Sequence, residues 1–220
     1  GTHPDILLAA KLAMENGASS ITIHLREDRR HIKDNDVKVL CNNKTIPVNL
    51  EIGSNKNILK IALKNKPNFV CIVPEKREEL TTEGGLNLFK NKNKIKKMLI
   101  RLKKKKIRTS LFINPEKKNI ILAKELNTDC VELHTGKLTD LIKSKKNYHS
   151  ELNKIKSSSK LANSLNLEVH AGHGIDFNSI KLLNKIKEIK EFNIGHFIIG
   201  ESIFNGLSNV IKRFIKLSNN

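Results

Sequence analysis

Apolar residues recur at two spacings along this chain, and the alternation between them outlines its elements. Residues 5–16 carry Ile6, Leu7, Ala10, Ala13 and Met14 at helical spacing and end at Gly17. The next run, 20–26, predicts a strand. Helical patterning returns at 34–41, a strand is predicted over 47–52, and a helix over 55–64. The short apolar run 69–74 predicts a strand, and a polar loop through Gly84 and Gly85 follows it. A lysine-rich helix is predicted over 92–106 and a strand over 109–114. Pro115 suits the first turn of a helix that runs to about Leu126. Strands are then predicted at 130–135, 167–171 and 192–199, with helical stretches between and after them. Segment 136–150 is longer than a minimal connection and predicts an extra helix or a functional loop.

Strands that alternate with helices imply right-handed crossovers and a parallel sheet. The pattern holds seven strands and eight principal helices, and it opens on a helix. A doubly wound sheet or a barrel normally opens on a strand. The economical reading is one α/β domain over residues 1–220, a TIM-type (β/α)8 barrel with its first strand absent from this chain and upstream of Gly1. Seven strands alone would leave two unpaired edges, which is a liability.

Composition narrows the class. A hydrophobic fraction of 38% over 220 residues supports a real core. No apolar run approaches the ~18–20 residues of a membrane span, and no signal peptide opens the sequence. Cys41, Cys71 and Cys130 are odd in number and scattered, with no CxxC spacing. These features predict a soluble, cytoplasmic protein without a membrane partner. The net charge of +19 favours anionic ligands. The lysines, however, lie on helix-like segments such as 91–106 and 181–190, mostly at positions that face water. With no Trp, one Tyr and no aromatic–basic interleaving, nucleic acid is not expected as a partner.

Candidate chemistry sits at the strand ends. Thr22, His24 and Arg26 share one face of their strand, as do Asn49 and Glu51, and Glu132 and His134. His170 and His173 close the following strand, and Gly195–His196 is expected within the last one. The carboxyl ends of parallel strands are where a barrel carries its active site. Taken singly, each of these residues also fits a satisfied core or rim position. Repetition strand after strand is what points to a site. Ala171-Gly172-His173-Gly174 and Gly195-His196 would let backbone N–H groups approach an oxyanion. Without an HxH or HExxH spacing, no metal is expected.

The strings at these positions resemble a known family. Ile23-His24-Leu25-Arg26-Glu27-Asp28-Arg29-Arg30-His31-Ile32 resembles the signature after the second strand of pyridoxine 5′-phosphate synthases. Asn49-Leu50-Glu51, Val73-Pro74-Glu75-Lys76-Arg77, Thr81-Thr82-Glu83-Gly84-Gly85-Leu86 and Glu132-Leu133-His134-Thr135-Gly136 follow in the family's order. Ala171–Gly174 and Asn193–His196 complete the resemblance, which covers essentially the whole chain. It implies condensation of 3-amino-2-oxopropyl phosphate with 1-deoxy-D-xylulose 5-phosphate by general acid/base catalysis, with no cofactor, in a homo-octamer.

It also implies His24 and Glu51 as proton acceptors and His173 as proton donor. Arg26, His31 and Thr81 would contact the deoxyxylulose phosphate, and Gly174, Gly195 and His196 would hold phosphate through backbone N–H groups. Glu75, Lys76 and Arg77 fit a structural ion-pair network equally well. The family's first strand, with its Asn, Asp-His pair and Arg, is not represented in these residues. Another phosphosugar barrel, a basic nucleic-acid-binding protein and a degenerate synthase remain as rival readings.

Overall fold

The computed structural model describes residues 4–75, 79–81 and 84–219. Lys76, Arg77, Thr82 and Glu83 of the quoted strings lie outside the described residues. The chain opens on α1 (Ile6–Glu15), where the Asp5 side chain accepts from Leu8 N at 3.0 Å and so satisfies an otherwise orphaned donor. Seven strands follow: β1 (Ile21–His24), β2 (Val48–Ile52), β3 (Phe69–Ile72), β4 (Arg108–Ile113), β5 (Cys130–His134), β6 (Glu168–Gly172) and β7 (Ile189–Asn193). They form one sheet in sequence order, and every pairing is parallel.

The connections carry α2 (Asp34–Asn42), α3 (Lys56–Asn65), α4 (Leu88–Lys104), α5 (Lys117–Glu125), α6 (Gly136–Lys143), α7 (His149–Ser164) and α8 (Ser179–Leu183). The last two helices are α9 (His196–Asn205) and α10 (Leu207–Ser218). The sheet curls as in a TIM-type α/β fold with one strand fewer than eight, as expected. Among the described residues no ladder joins β7 to β1. Their side chains nevertheless meet, since Thr22 Oγ1 donates to Asn193 Oδ1 at 2.8 Å.

Period-two alternation divides the strands, with one register shift where β7 pairs with β6. Val48, Leu50, Ile52, Val70, Ile72, Leu111, Ile113, Val131 and Leu133 are wholly buried, packed in one cluster with helix residues such as Leu40, Ile58, Ile95 and Ile120. The opposite face lines the inside of the curl. There the apolar content shrinks to Phe69, Cys130 and a small separate cluster of Cys71, Val73 and Phe112, among residues that are otherwise mostly polar.

Three expectations need correction. The last strand covers Ile189–Asn193 rather than 192–199, and residues from His196 onward form α9. Ile189 is buried in register with Val169, which anchors the strand early. The apolar run Phe197-Ile198-Ile199 suits a strand or a helix equally by composition. Helix α8 likewise stops at Leu183, well short of 190. Helix α4 begins before the lysine run, because Asn87 caps it by accepting from Lys90 N at 3.1 Å. The long 136–150 segment does carry its extra helix, α6.

Leu50 is fully buried on β2, paired with Ile23 on one side and Val70 on the other. Leu50→Ala is expected to lower unfolding stability by about 2–5 kcal/mol, read from the midpoint of urea denaturation at unchanged m-value.

Candidate active site

The ladder register decides which polar residues meet. His24 is the last residue of β1, directly opposite Glu51 on β2. Their side chains face each other inside the curl, with His24 Nδ1 3.6 Å from Glu51 Oε2. On the far side of the ring, His24 Nε2 lies 3.1 Å from Glu75 Oε1. Glu75 follows Pro74 just beyond β3. Its carboxylate also accepts from Gly53 N at 3.0 Å and Glu27 N at 3.0 Å. Burial raises the pKa of the Glu51 carboxyl above the ordinary range, and the neighbouring His24 moderates the rise.

Deeper in the interior lies Glu132, 2% exposed, in the middle of β5. Asn193 Nδ2 donates to its Oε2 at 2.8 Å, and Cys71 Sγ approaches the same oxygen at 3.7 Å. Asn193 is held in turn by Thr22, to which Asn49 donates at 3.3 Å. A Cβ on Gly172 would collide with the Glu132 carboxylate, so that position takes a glycine. Burial pushes the Glu132 carboxyl well up, and the nearby Glu51 and Glu191 carboxyls add to the rise.

A third group forms at the ends of β5 and β6. The rings of His134 and His173 stack at 4.8 Å, and Phe112 meets His134 edge-on at 5.2 Å. His173 adopts φ +79° and is followed by Gly174 at φ +77°. Such a backbone costs a non-glycine residue on the order of 1–3 kcal/mol and persists only when its surroundings enforce it. Thr135 does so, with Oγ1 2.8 Å from Gly172 O and 2.7 Å from His173 O. Burial lowers the pKa of His173. Asp140 opposes the shift, while Lys143 and His196 reinforce it. A cavity of about 400 Å³ opens beside this pair, lined by His134, Gly136, Lys137, Asp140, Lys146 and His173 among others.

Loops complete the mouth. Thr81 sits on the loop after β3, strapped to the end of β4. Asn114 Nδ2 donates to Thr81 Oγ1 at 2.8 Å, and Gly85 N donates to Asn114 Oδ1 at 3.0 Å. Arg26 lies just past β1 with its Nε buried and without a hydrogen-bond partner; the Asp28 carboxylate stands 3.6 Å away. His31 is exposed on the same connection. Gly195 is the N-cap of α9 and His196 its first residue, both exposed, so the expected position within a strand is corrected to a helix N-terminus.

Comparison with known proteins gives the family. The family described as pyridoxal phosphate biosynthesis protein PdxJ matches residues 1–220. The chain belongs to the PdxJ family. A pyridoxine 5′-phosphate synthase of Pelagibacter ubique is 60% identical over 217 residues, covering 99% of this chain and 91% of the relative. One from Zymomonas mobilis is 48% identical over 213 residues, covering 97% of this chain and 82% of that protein. Among solved structures, a phosphoribosyl anthranilate isomerase from Thermus thermophilus aligns with a TM-score of 0.62 at 10% identity. It covers 97% of this chain and 94% of that one, a likeness of fold alone. PdxJ proteins are enzymes of pyridoxine biosynthesis.

Within this PdxJ chain, the residues singled out from sequence fall into groups. His24 with Glu51, and His173 with His134, are brought together. Thr81 and Arg26 sit at loops around the mouth. His170 does not belong there. It is buried mid-strand and bonded to Glu168 at 2.8 Å towards the amino end of β6. Cys130, Glu168 and His170 offer ligand atoms within 4.8 Å of one another, the one such group among the described residues. The Glu168 carboxylate is, however, paired with Arg108 at 2.7 Å, and burial pushes the Cys130 thiol up to about 12. That arrangement is a satisfied ion-pair network. Glu75 and Asn193 lay in the family strings with no site role assigned, and Asn114 had no signal at all, because the partners of all three are remote along the chain.

The folded chain holds the Glu132 proton more tightly than the unfolded chain, whose glutamates titrate near 4.5. The resulting stabilisation is complete below about 4.5 and is lost as pH rises through the folded value. Glu132→Gln is therefore expected to flatten the decline of stability with pH above 4.5, measured by urea unfolding across a pH series.

Proposed function

We propose that this chain is a pyridoxine 5′-phosphate synthase that condenses 3-amino-2-oxopropyl phosphate with 1-deoxy-D-xylulose 5-phosphate, releasing phosphate and water. The observation that carries the reading is the facing pair His24 and Glu51 at the carboxyl ends of adjacent strands, in a chain of this family. The amine of one substrate and a carbonyl of the other form an imine between themselves. Enolisation, elimination and ring closure then require proton transfers in one pocket, which His and Glu held in unlike environments can supply.

His24 and Glu51 act as proton acceptors and His173 as donor. Burial supports the donor role, because a depressed pKa makes the His173 imidazolium a stronger acid. Arg26, His31 and Thr81 bind the deoxyxylulose phosphate, a role supported by the buried Arg26 Nε, which has no hydrogen-bond partner although the Asp28 carboxylate stands 3.6 Å away. Gly174, Gly195 and His196 hold phosphate, supported by the exposed N-terminus of α9 and its positive dipole end. No cofactor takes part. Residues 1–220 act as one domain, with neither nucleic acid nor membrane as partner.

The protein works in the cytoplasm as a homo-octamer. No described helix is long and apolar enough to cross a membrane. Assembly is supported by α9, where Ile199, Ile203 and Phe204 are 64%, 77% and 85% exposed.

Phosphorus NMR tests the reaction. Inorganic phosphate and pyridoxine 5′-phosphate are expected together, and only with both substrates present. Product from a single phosphorylated sugar would overturn the reading. His173→Ala is expected to lower kcat by about 10²–10⁴-fold, the usual contribution of a positioned acid. Light scattering is expected to give a mass of several chains of 24.9 kDa each.

A further inference from the structure

We infer that Glu75 is the positioning residue of His24: it holds the Nε2–H tautomer and leaves Nδ1, the nitrogen that faces Glu51, as the atom that accepts the proton. The inference rests on the reading of His24 as a base and names the atom through which it acts.

The geometry around Glu75 is over-determined. The side chain is 5% exposed, and each carboxylate oxygen has a backbone donor, Gly53 N on Oε1 and Glu27 N on Oε2. Gly53 follows β2 and Glu27 follows β1, so one carboxylate ties together the outlets of three strands. Its own backbone is fixed as well, since Glu75 N donates to Glu79 Oε2 at 3.1 Å. Glu79 is in turn bonded by Ser54 Oγ and lies 3.6 Å from Lys94 Nζ.

Close approach at Gly53 is also required. A Cβ at that position would stand 2.8 Å from the Glu75 carboxyl carbon. A carboxylate only accepts hydrogen bonds, so a neutral imidazole 3.1 Å away must present Nε2 as its N–H. The other nitrogen then carries the lone pair and points at Glu51 Oε2, 3.6 Å away. A buried carboxylate that fixes an imidazole tautomer is the same division of labour as in Ser-His-Asp enzymes. There is one difference in orientation: here Nε2 is the anchored nitrogen and Nδ1 the working one.

The test is nitrogen-15 NMR of ring-labelled histidine on the unliganded full chain, which needs no turnover. At a pH where the ring is neutral, His24 is expected to show a protonated Nε2 and an unprotonated Nδ1. A protonated Nδ1 in the parent protein would overturn the assignment without any variant.

Glu75→Gln is expected to abolish the bias, leaving averaged shifts at both ring nitrogens. It should also lower kcat by at least about 10²-fold while KM changes little. Gly53→Ala, which displaces Glu75 without altering its charge, is expected to produce the same change in shifts. Retention of the Nε2–H signature in either folded variant would sink the role. If the chain made no pyridoxine 5′-phosphate at all, the shifts would still decide the tautomer and only the catalytic reading would fall.

Discussion

Parallel pairing in a fixed register is the constraint from which the site follows. Across β1 to β6 one row of paired residues runs His24, Glu51, Cys71, Ser110, Cys130, Glu168. That row begins at the last residue of β1 and ends at the first residue of β6. The strands are therefore staggered, and residues that look equivalent in their own strands sit at different depths. His24 and Glu51 lie at the mouth, whereas Glu168 and His170 lie towards the amino end with Arg108. A slip of one residue in any strand would turn its polar set onto the helices and its valines and leucines inward.

The polar interior opposes stability, and the structure limits the cost by chaining its groups together. Glu132 would be expensive as an unpaired buried anion. It is held towards its neutral form and bonded to Asn193, which Thr22 and Asn49 extend to the strands at the opposite edge. The chain of bonds spans the edges that no ladder joins. The strained backbone of His173 is enforced in a similar way, through Thr135. Rigid apolar packing on the outer face supplies the stability that lets the inner face carry acids, imidazoles and amides rather than leucine.

Much of this was legible in the residues. The spacing of apolar positions predicted six of the seven strands and the parallel α/β class, and the alternation placed His24, Glu51 and Glu132 on inner faces. The errors lie where local pattern is ambiguous. The run 192–199 carries aromatic and β-branched residues suited to either element, and the pairing of Ile189 with Val169 settled which part became strand. The lysine run concealed the true start of α4, which Asn87 caps.

Glu75 marks the boundary between the two kinds of information. As a residue after Pro74 in a charged stretch, it was indistinguishable from a surface ion-pair member. Only folding brings Gly53, Glu27 and His24 around its carboxylate, from positions 22, 48 and 51 residues away. Likewise, the stacking of His134 on His173 depends on the depth of two strand ends rather than on either strand's pattern. Element type and facing are encoded in periods of a few residues, so local sequence suffices for them. Which polar groups touch depends on strand stagger and loop path summed over the chain, and only the assembled sheet contains that.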